Sequence, residues 1–438
     1  MPISKTFATL FLYTSAFVIR IIILNSHSLS KTLGNRVEIA TPLTSWKKAV
    51  EGVSLWKHAI NPYDGDNFHE SPLALLIYSY ILNCAQEWIS VIFGACDLLT
   101  ALVLSWAAKL YLKDVCQKEG ETSKFPSSAS VLLLKQEYVK WVPFYVAAMY
   151  LLCPYSVLAC GGKSTAVFSN FYLSLFILFT ISGQWLMSPI LLALCTYNSF
   201  YYITLLVPLT MYIHQKSNYH KNKMIIILRL MSTAILFLSS SVLLLFYSHK
   251  VTSSWNFLLS TYGFTLSFPD LTPNIGLFWY FFTEMFEHFR IFFLCTFQLN
   301  VFVYTAPLAI RLRKEPIFLL FVQLMIISIF KSYPSIGDVA FYFSLLPIWS
   351  HFFHFMKQRF IICCILASCT LLAPTVWYLW IYSGSANANF YFGITLAFNT
   401  GQVFLLTDIL SAYIKREYYL ENGVQYKEDG SLVLMRLQ

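Results

Sequence analysis

The amino-acid sequence predicts an all-α polytopic membrane protein. Of its 438 residues, 57% are hydrophobic and 18% aromatic. Only 12% are charged, where roughly 25% is usual for a soluble domain. Apolar runs recur from end to end, and no polar stretch is long enough to form a separate soluble domain. Backbone groups in hydrocarbon must be satisfied within their own segment, which selects helices. A single multi-pass membrane domain over residues 1–438 is expected.

A span needs about 20 apolar residues. In chain order, candidate segments lie near 7–24, 73–112, 141–160, 164–182, 187–214, 224–247, 280–306, 316–331, 337–354, 360–382 and 390–413. The first run has the length of a signal peptide. It contains Arg20 and lacks a small-residue cleavage site, so it reads as a retained span. The 73–112 run is too long for one straight crossing and carries Glu87 and Asp97. The 187–214 run is long for one span and short for two.

Basic clusters fix the orientation, because Lys and Arg accumulate in cytosolic loops. They are Arg311, Arg313 and Lys314; Lys357 and Arg359; Lys415 and Arg416; and Lys216, Lys221 and Lys223. All fall on one side if 73–112 crosses once and 187–214 crosses twice as short helices. The result is 12 transmembrane helices with both termini cytosolic. Lumenal loops are then 25–72, 248–278, 331–337 and 383–389, where the turn-forming prolines also gather.

The net charge of +9 suits anionic lipid and cytosolic loops. No basic tract interleaved with aromatics lies outside the apolar runs, so nucleic-acid binding is not expected. Nine of the ten cysteines fall in or beside apolar segments and read as small hydrophobes. There is no CxxC, HExxH, GxSxG or Walker motif, and neither a metal nor a cofactor is implied. His69 and Glu70 are adjacent in NFHESPL, but no nucleophilic Ser or Cys is placed to use them. Ser71 before Pro72 reads as a turn or helix N-cap.

Four clusters remain as candidate sites. In FWYFFTEMFEHFR, Glu284, Glu287 and His288 are spaced i, i+3, i+4 and would share one helix face. They are expected to line a polar lumenal vestibule or touch lipid; the alternative is an interfacial position marked by Trp279 and Tyr280. Lys331 and Asp338 flank a Pro-Gly turn and could pair with each other, or Lys331 could meet a lipid phosphate. His220, Lys221, Gln358 and Arg359 at helix edges could hold anionic headgroups, or serve only as topology signals. In SGSANANF, Asn387 and Asn389 would point the same way if the segment is extended; the alternative is a helix cap. Asp97 and Asp408 are acids within spans, expected to contact partner helices.

Longer stretches carry a family resemblance. RVEIATPLTSWKKAVEGVSLW (36–56), PDLTPNIGLFWYFFTEMFEHF (269–289), IFKSYPSIGDVAFYFSLLPIW (329–349) and WIYSGSANANFYFGITLAFNTGQ (380–402) resemble PIG-U, the U-subunit family of the GPI transamidase. The similarity runs essentially the full length in the same order. It implies a non-catalytic subunit of the endoplasmic-reticulum complex that attaches glycosylphosphatidylinositol to the C-terminus of proproteins. The cysteine-protease-like chemistry would belong to another subunit. It also implies a GT-C glycosyltransferase-like scaffold. Expected partners are the other transamidase subunits, the GPI glycolipid and membrane phospholipids, with Asn387 and Asn389 as GPI contacts.

Two rival readings follow. An active GT-C mannosyltransferase using dolichol-phosphate mannose would need an acidic residue early in the first lumenal loop. NRVEIATPL offers Glu38 alone, and the DGD of Asp64 and Asp66 comes only after the NPY turn. The other rival is an assembly scaffold with no ligand contact.

Overall fold

The computed structural model describes residues 5–121, 126–217 and 223–424. Among these the chain is helical, and its extended pairing is limited to an isolated antiparallel bridge between Ser45 and Ser164. Six helices are long and apolar enough to cross a membrane: Lys5–Asn25, Gln86–Gly120, Met224–Thr252, Glu287–Arg311, Arg359–Ile381 and Ala388–Asn422. The pair Ser128–Leu152 and Pro154–Gly161, bent by 48°, makes a seventh if counted as one span. Cys153 supplies the bend: it precedes a proline and is extended, as the proline ring demands. Pro72–Cys84, Ala166–Ile181 and Pro316–Phe330 are shorter apolar helices.

Several expected runs are interrupted. The 73–112 run breaks at Ala85 (φ −139°, ψ 30°), passes through the 3₁₀ turn Gln86–Trp88 and continues as Ile89–Glu121. Glu87 sits exposed in that turn, so its charge stays out of the apolar helix. The 187–214 run forms two short helices, Met187–Asn198 and Leu206–Ser217, joined by the 3₁₀ segment Phe200–Leu205. The 337–354 run tightens after Leu345 into a 3₁₀ segment that kinks at Trp349.

The chain packs as two compact units, one of Met1–Leu104 and Ala147–Ser344, the other of Ser105–Val146 and Leu345–Gln438. An aromatic cluster centres the first. Trp46, at the start of the loop helix Trp46–Lys57, sits edge-on to Tyr78 (5.3 Å) and Phe93 (5.2 Å). Phe93 in turn packs edge-on to Phe168 at 4.9 Å. Such T-shaped pairs stabilise by about 0.5–1.5 kcal/mol beyond area burial. They seat the first polar loop on the helical core.

In the second unit, Arg416 Nη2 donates to Glu119 Oε1 at 2.7 Å and to the Leu132 carbonyl at 3.0 Å. Asp408 accepts from the backbone amides of Lys357 (3.0 Å) and Gln358 (2.9 Å) just before the helix Arg359–Ile381. That span acid therefore holds a neighbouring turn, the kind of contact its sequence position suggests. The ten cysteines are free thiols, six of them buried or partly buried.

Candidate functional site

Three of the four motif stretches meet in the first unit. The amide of Ile336 donates to the carbonyl of Glu38 at 3.0 Å. Tyr333 Oη donates to the Asp270 carbonyl at 3.1 Å, tying KSYPSIG to PDLTPN. Beneath the turn, Tyr201 Oη bonds Gln298 Oε1 (2.7 Å) and Ser332 Oγ (2.8 Å), and Gln298 Nε2 donates to the Thr265 carbonyl at 3.0 Å. Buried polar groups are thus paired rather than orphaned, and the turn is fixed from below.

Beside this turn lies a recess enclosing about 1040 Å³ of non-atom space, part of it open to solvent. Glu70, Lys331 and Asp338 supply charged groups, Asn198 an amide and Ser71 a hydroxyl, while Phe168, Tyr172, Tyr201 and Tyr262 are among its aromatic walls. Lys331 Nζ pairs with Asp338 Oδ1 at 2.6 Å. Asp338 Oδ2 also accepts from the amide (2.8 Å) and hydroxyl (2.9 Å) of Ser335, which ties the turn to the start of Ile336–Leu345. Pairing across the turn, one of the two readings open for Lys331, is what the structure holds.

Glu70 is held by two hydroxyls. Tyr78 Oη donates to its Oε2 at 2.6 Å and Thr165 Oγ1 to its Oε1 at 2.9 Å. Burial raises its carboxyl to about 7, against the downward pull of those two hydrogen bonds. Next to it, His69 has Nδ1 2.9 Å from the Ser260 carbonyl and Nε2 2.8 Å from the Asp66 carbonyl. Burial lowers its pKa, and in a neutral ring only one of those contacts is a hydrogen bond. Ser71 Oγ donates to Asn198 Oδ1 at 2.9 Å, leaving the Asn198 Nδ2 as the donor of that amide. The sequence placed His69 and Glu70 together but gave no sign of the recess, because Thr165 and Asn198 join only through the fold. An acid immediately before the Ser-Pro start of an apolar helix was the available signal.

The expected vestibule face is not formed. The helix Phe278–Glu284 ends, Met285 and Phe286 are extended, and Glu287–Phe289 is a 3₁₀ turn, so Glu284, Glu287 and His288 share no helix face. All three are exposed, and none lines the recess; of that set only Lys331 does. The break leaves two carboxylates and an imidazole exposed before the apolar helix Arg290–Val303 begins. Arg290 bridges it, with Nη2 donating to the Phe268 carbonyl at 2.9 Å and Nη1 3.9 Å from Glu287 Oε2. The DGD acid Asp64 accepts from Asn61 (3.0 Å) and Asn256 (2.8 Å). Glu38 is bound bidentately by Arg36 at 3.2 and 3.1 Å. Neither lines the recess.

In the second unit, Asn387 and Asn389 stand at the turn between the apolar helices Arg359–Ile381 and Ala388–Asn422. Asn387 is the N-cap: its Oδ1 accepts from the amides of Asn389 (3.0 Å) and Phe390 (3.3 Å). The side-by-side extended arrangement is therefore corrected, because Asn389 already lies in the first helical turn. Both remain exposed. Trp377, Trp380 and Tyr391 cluster beside the turn, with Trp377 5.5 Å from Trp380 and 5.1 Å from Tyr391. Gln358 and Arg359 are exposed at the other end of the span, while His220 and Lys221 lie outside the described residues. Among the described residues, no group of three His, Cys, Asp or Glu is arranged to hold a metal ion.

These features define a multi-pass helical membrane protein with a polar, aromatic-walled recess and exposed amides at a turn between two spans. A family model described as GPI transamidase subunit PIG-U matches residues 14–398, and the chain belongs to that family. It is 43% identical over 418 residues to the GPI-anchor transamidase component PIGU of Homo sapiens, covering 94% of this chain and 95% of that protein. The PIGU of Mus musculus matches at the same identity and coverage. The GPI transamidase component GAB1 of Saccharomyces cerevisiae is 31% identical over 399 residues, covering 91% of each chain.

Proposed function

We propose that this chain is the non-catalytic subunit of the GPI transamidase in the endoplasmic-reticulum membrane, and that it binds the lipid and glycan of GPI. It positions the glycolipid for attachment to the C-terminus of proproteins, while a cysteine-protease-like subunit performs the bond chemistry. The scaffold is GT-C-like, with 12 crossings and both termini cytosolic. Family membership supports the complex. The observation that carries the binding role is the exposed Asn387 and Asn389 beside the aromatic cluster of Trp377, Trp380 and Tyr391. Tryptophan and tyrosine settle at headgroup depth, so the two amides sit where a glycan leaves the membrane. Amides donate and accept, which suits hydroxyls and phosphate oxygens. The lipid tails occupy a groove between spans. Gln358 and Arg359, with His220 and Lys221, contact anionic headgroups, and Glu284, Glu287 and His288 face the lumenal lipid edge, while Lys331 stays with Asp338 in the recess. The contribution to catalysis is positioning, which lowers the entropic part of the barrier.

The test is the GPI profile of cells lacking the protein, resolved by metabolic labelling and lipid chromatography. Complete, ethanolamine-bearing GPI should accumulate together with uncleaved precursor proteins. An under-mannosylated intermediate would instead mean that the scaffold is itself a transferase.

A further inference from the structure

A second recess lies at the end of the first span, Lys5–Asn25, in the same compact unit as the Glu70 recess but with none of its lining residues. It encloses about 1050 Å³ of non-atom space, part of it open to solvent. Lys31, Lys47, Lys163 and His27 line it, joined by the amides of Asn25 and Asn35, and no carboxylate is among its lining residues. Three ammonium groups on one concavity repel each other unless an anion joins them. Among the described residues none of the three is in an ion pair; Glu38 pairs with Arg36 and Asp270 with Lys48, and Glu51, one turn after Lys47, accepts from Asn67 Nδ2 at 3.1 Å.

Lys163 is the least ordinary member. Its backbone is left-handed (φ 53°), a conformation that disfavours a side chain. The surroundings hold it there from both sides. The amide of Ser164 donates to the Ala159 carbonyl at 2.9 Å and the amide of Thr165 to the Thr44 carbonyl at 2.9 Å. Gly162 packs so closely that a Cβ there would lie 2.8 Å from Ile39 and 3.3 Å from the Gly34 nitrogen. Lys163 is the left-handed residue of a Schellman cap on Pro154–Gly161, its own amide donating to the Cys160 carbonyl at 2.9 Å, and the cap fixes where its side chain starts on the wall of the recess. Burial also lowers the pKa of the Lys163 ammonium, an unfavourable placement that a bound anion would relieve.

We propose that this recess binds a phosphate group, carried by a lipid headgroup or by a soluble phosphorylated molecule. Three ammonium donors, an imidazole and two side-chain amides match the several acceptor oxygens of a phosphate and its negative charge. Neither Asn387 nor Asn389 is among its lining residues, so the proposal stands independently of their role.

The experiment uses the full chain in dodecyl maltoside micelles, which carry no phosphate. Phosphatidylinositol is added to the micelles in one arm and inorganic phosphate to the buffer in the other, with bound ligand read by native mass spectrometry and by titration. The wild type should retain one or both probes. Phosphatidylinositol alone would identify a headgroup site, and inorganic phosphate alone would identify a site sufficient for the free anion. In Lys31→Gln/Lys47→Gln/Lys163→Gln, each lost charge-assisted hydrogen bond should weaken binding roughly tenfold. If the triple variant does not fold, Lys31→Gln/Lys47→Gln changes only exposed side chains, and Lys163→Gly removes the ammonium while suiting the left-handed backbone. Folded variants that retain both probes at wild-type affinity, or a wild type that binds neither, would overturn the proposal.

Discussion

Arg20 Nε meets Asp97 Oδ2 at 2.5 Å, with side-chain exposures of 0% and 1%, across 77 residues of chain. The guanidinium also donates to the carbonyls of Ala16 (3.2 Å) and Leu151 (3.1 Å) and to Ser156 Oγ (3.2 Å), while Tyr150 Oη donates to Asp97 Oδ1 at 2.8 Å. The pair therefore pins the first span to two others. Removing one partner strands a buried charge, so Asp97→Leu should destabilise the protein by about 3–5 kcal/mol. Arg20→Met with Asp97→Leu should recover most of that loss, since no charge remains to desolvate. Thermal melting of the purified single and double variants checks it. Equal losses in both would mean that the pair contributes through packing alone.

Gly276 brings PDLTPN against KSYPSIG. A Cβ at this position would lie 2.7 Å from Pro334 Cγ and 2.8 Å from Asn274 Oδ1, the atom that accepts the Gly276 amide at 2.7 Å. The proline ring cannot turn aside as a flexible side chain would. Gly276→Ala should therefore cost about 1–3 kcal/mol through overpacking. Gly65→Ala, where nothing lies within 4 Å, is the control and should melt close to wild type. Matching melting temperatures for the two variants would show that the loops separate freely.

Glu70 predicts a pH dependence. Its native carboxyl is raised to about 7 from an ordinary 4.5, so between those values the native state holds a proton that the unfolded state has released. Stability linked to Glu70 is fully present below the ordinary value and is lost as pH rises through about 7. The residue retains partial exposure beside the recess, which trims the effect to about 1–2 kcal/mol. Glu70→Gln removes the charge and keeps one acceptor oxygen, while its NH2 donates to whichever of the Tyr78 and Thr165 hydroxyls it faces. Its melting temperature should change less than wild type from about pH 5 to pH 8. Parallel profiles for the two would exclude Glu70 as the titrating group.

What the sequence discloses follows the reach of its local signals. Ser71-Pro72 marks a turn or helix start by chemistry within one turn, and a helix starts there in the structure. Lys331 and Asp338 lie close enough in sequence to be read as a pair. The breaks at Ala85 and Met285 carry neither proline nor glycine at the break itself, and unbroken apolar composition hides them. Periodicity then misplaces Glu284, Glu287 and His288 on one face. Arg20 with Asp97, and Glu70 with Thr165 and Asn198 nearby, depend on which helices are neighbours. Hydropathy is silent on that, because every span has much the same composition.

The Asn387 side chain carries two jobs that substitutions can separate. Asn387 Oδ1 caps the helix Ala388–Asn422 through the amides of Asn389 and Phe390, which leaves its Nδ2 as the group available to a ligand. Asn387→Ala removes both and should cost about 1 kcal/mol of helix stability, typical for a lost cap. Asn387→Ser keeps a capping oxygen but has no amide donor, so its stability should stay near wild type. If the donor touches the glycolipid, both variants lose transamidase activity while the complex still purifies intact, and Asn389→Ala, which leaves the cap oxygen in place, loses activity as well. If Asn387 serves only as a cap, Asn387→Ser remains active and Asn387→Ala declines in step with its melting temperature. Activity in restored null cells, read by surface display of a GPI-anchored reporter and set against the melting temperature of each purified variant, decides between them.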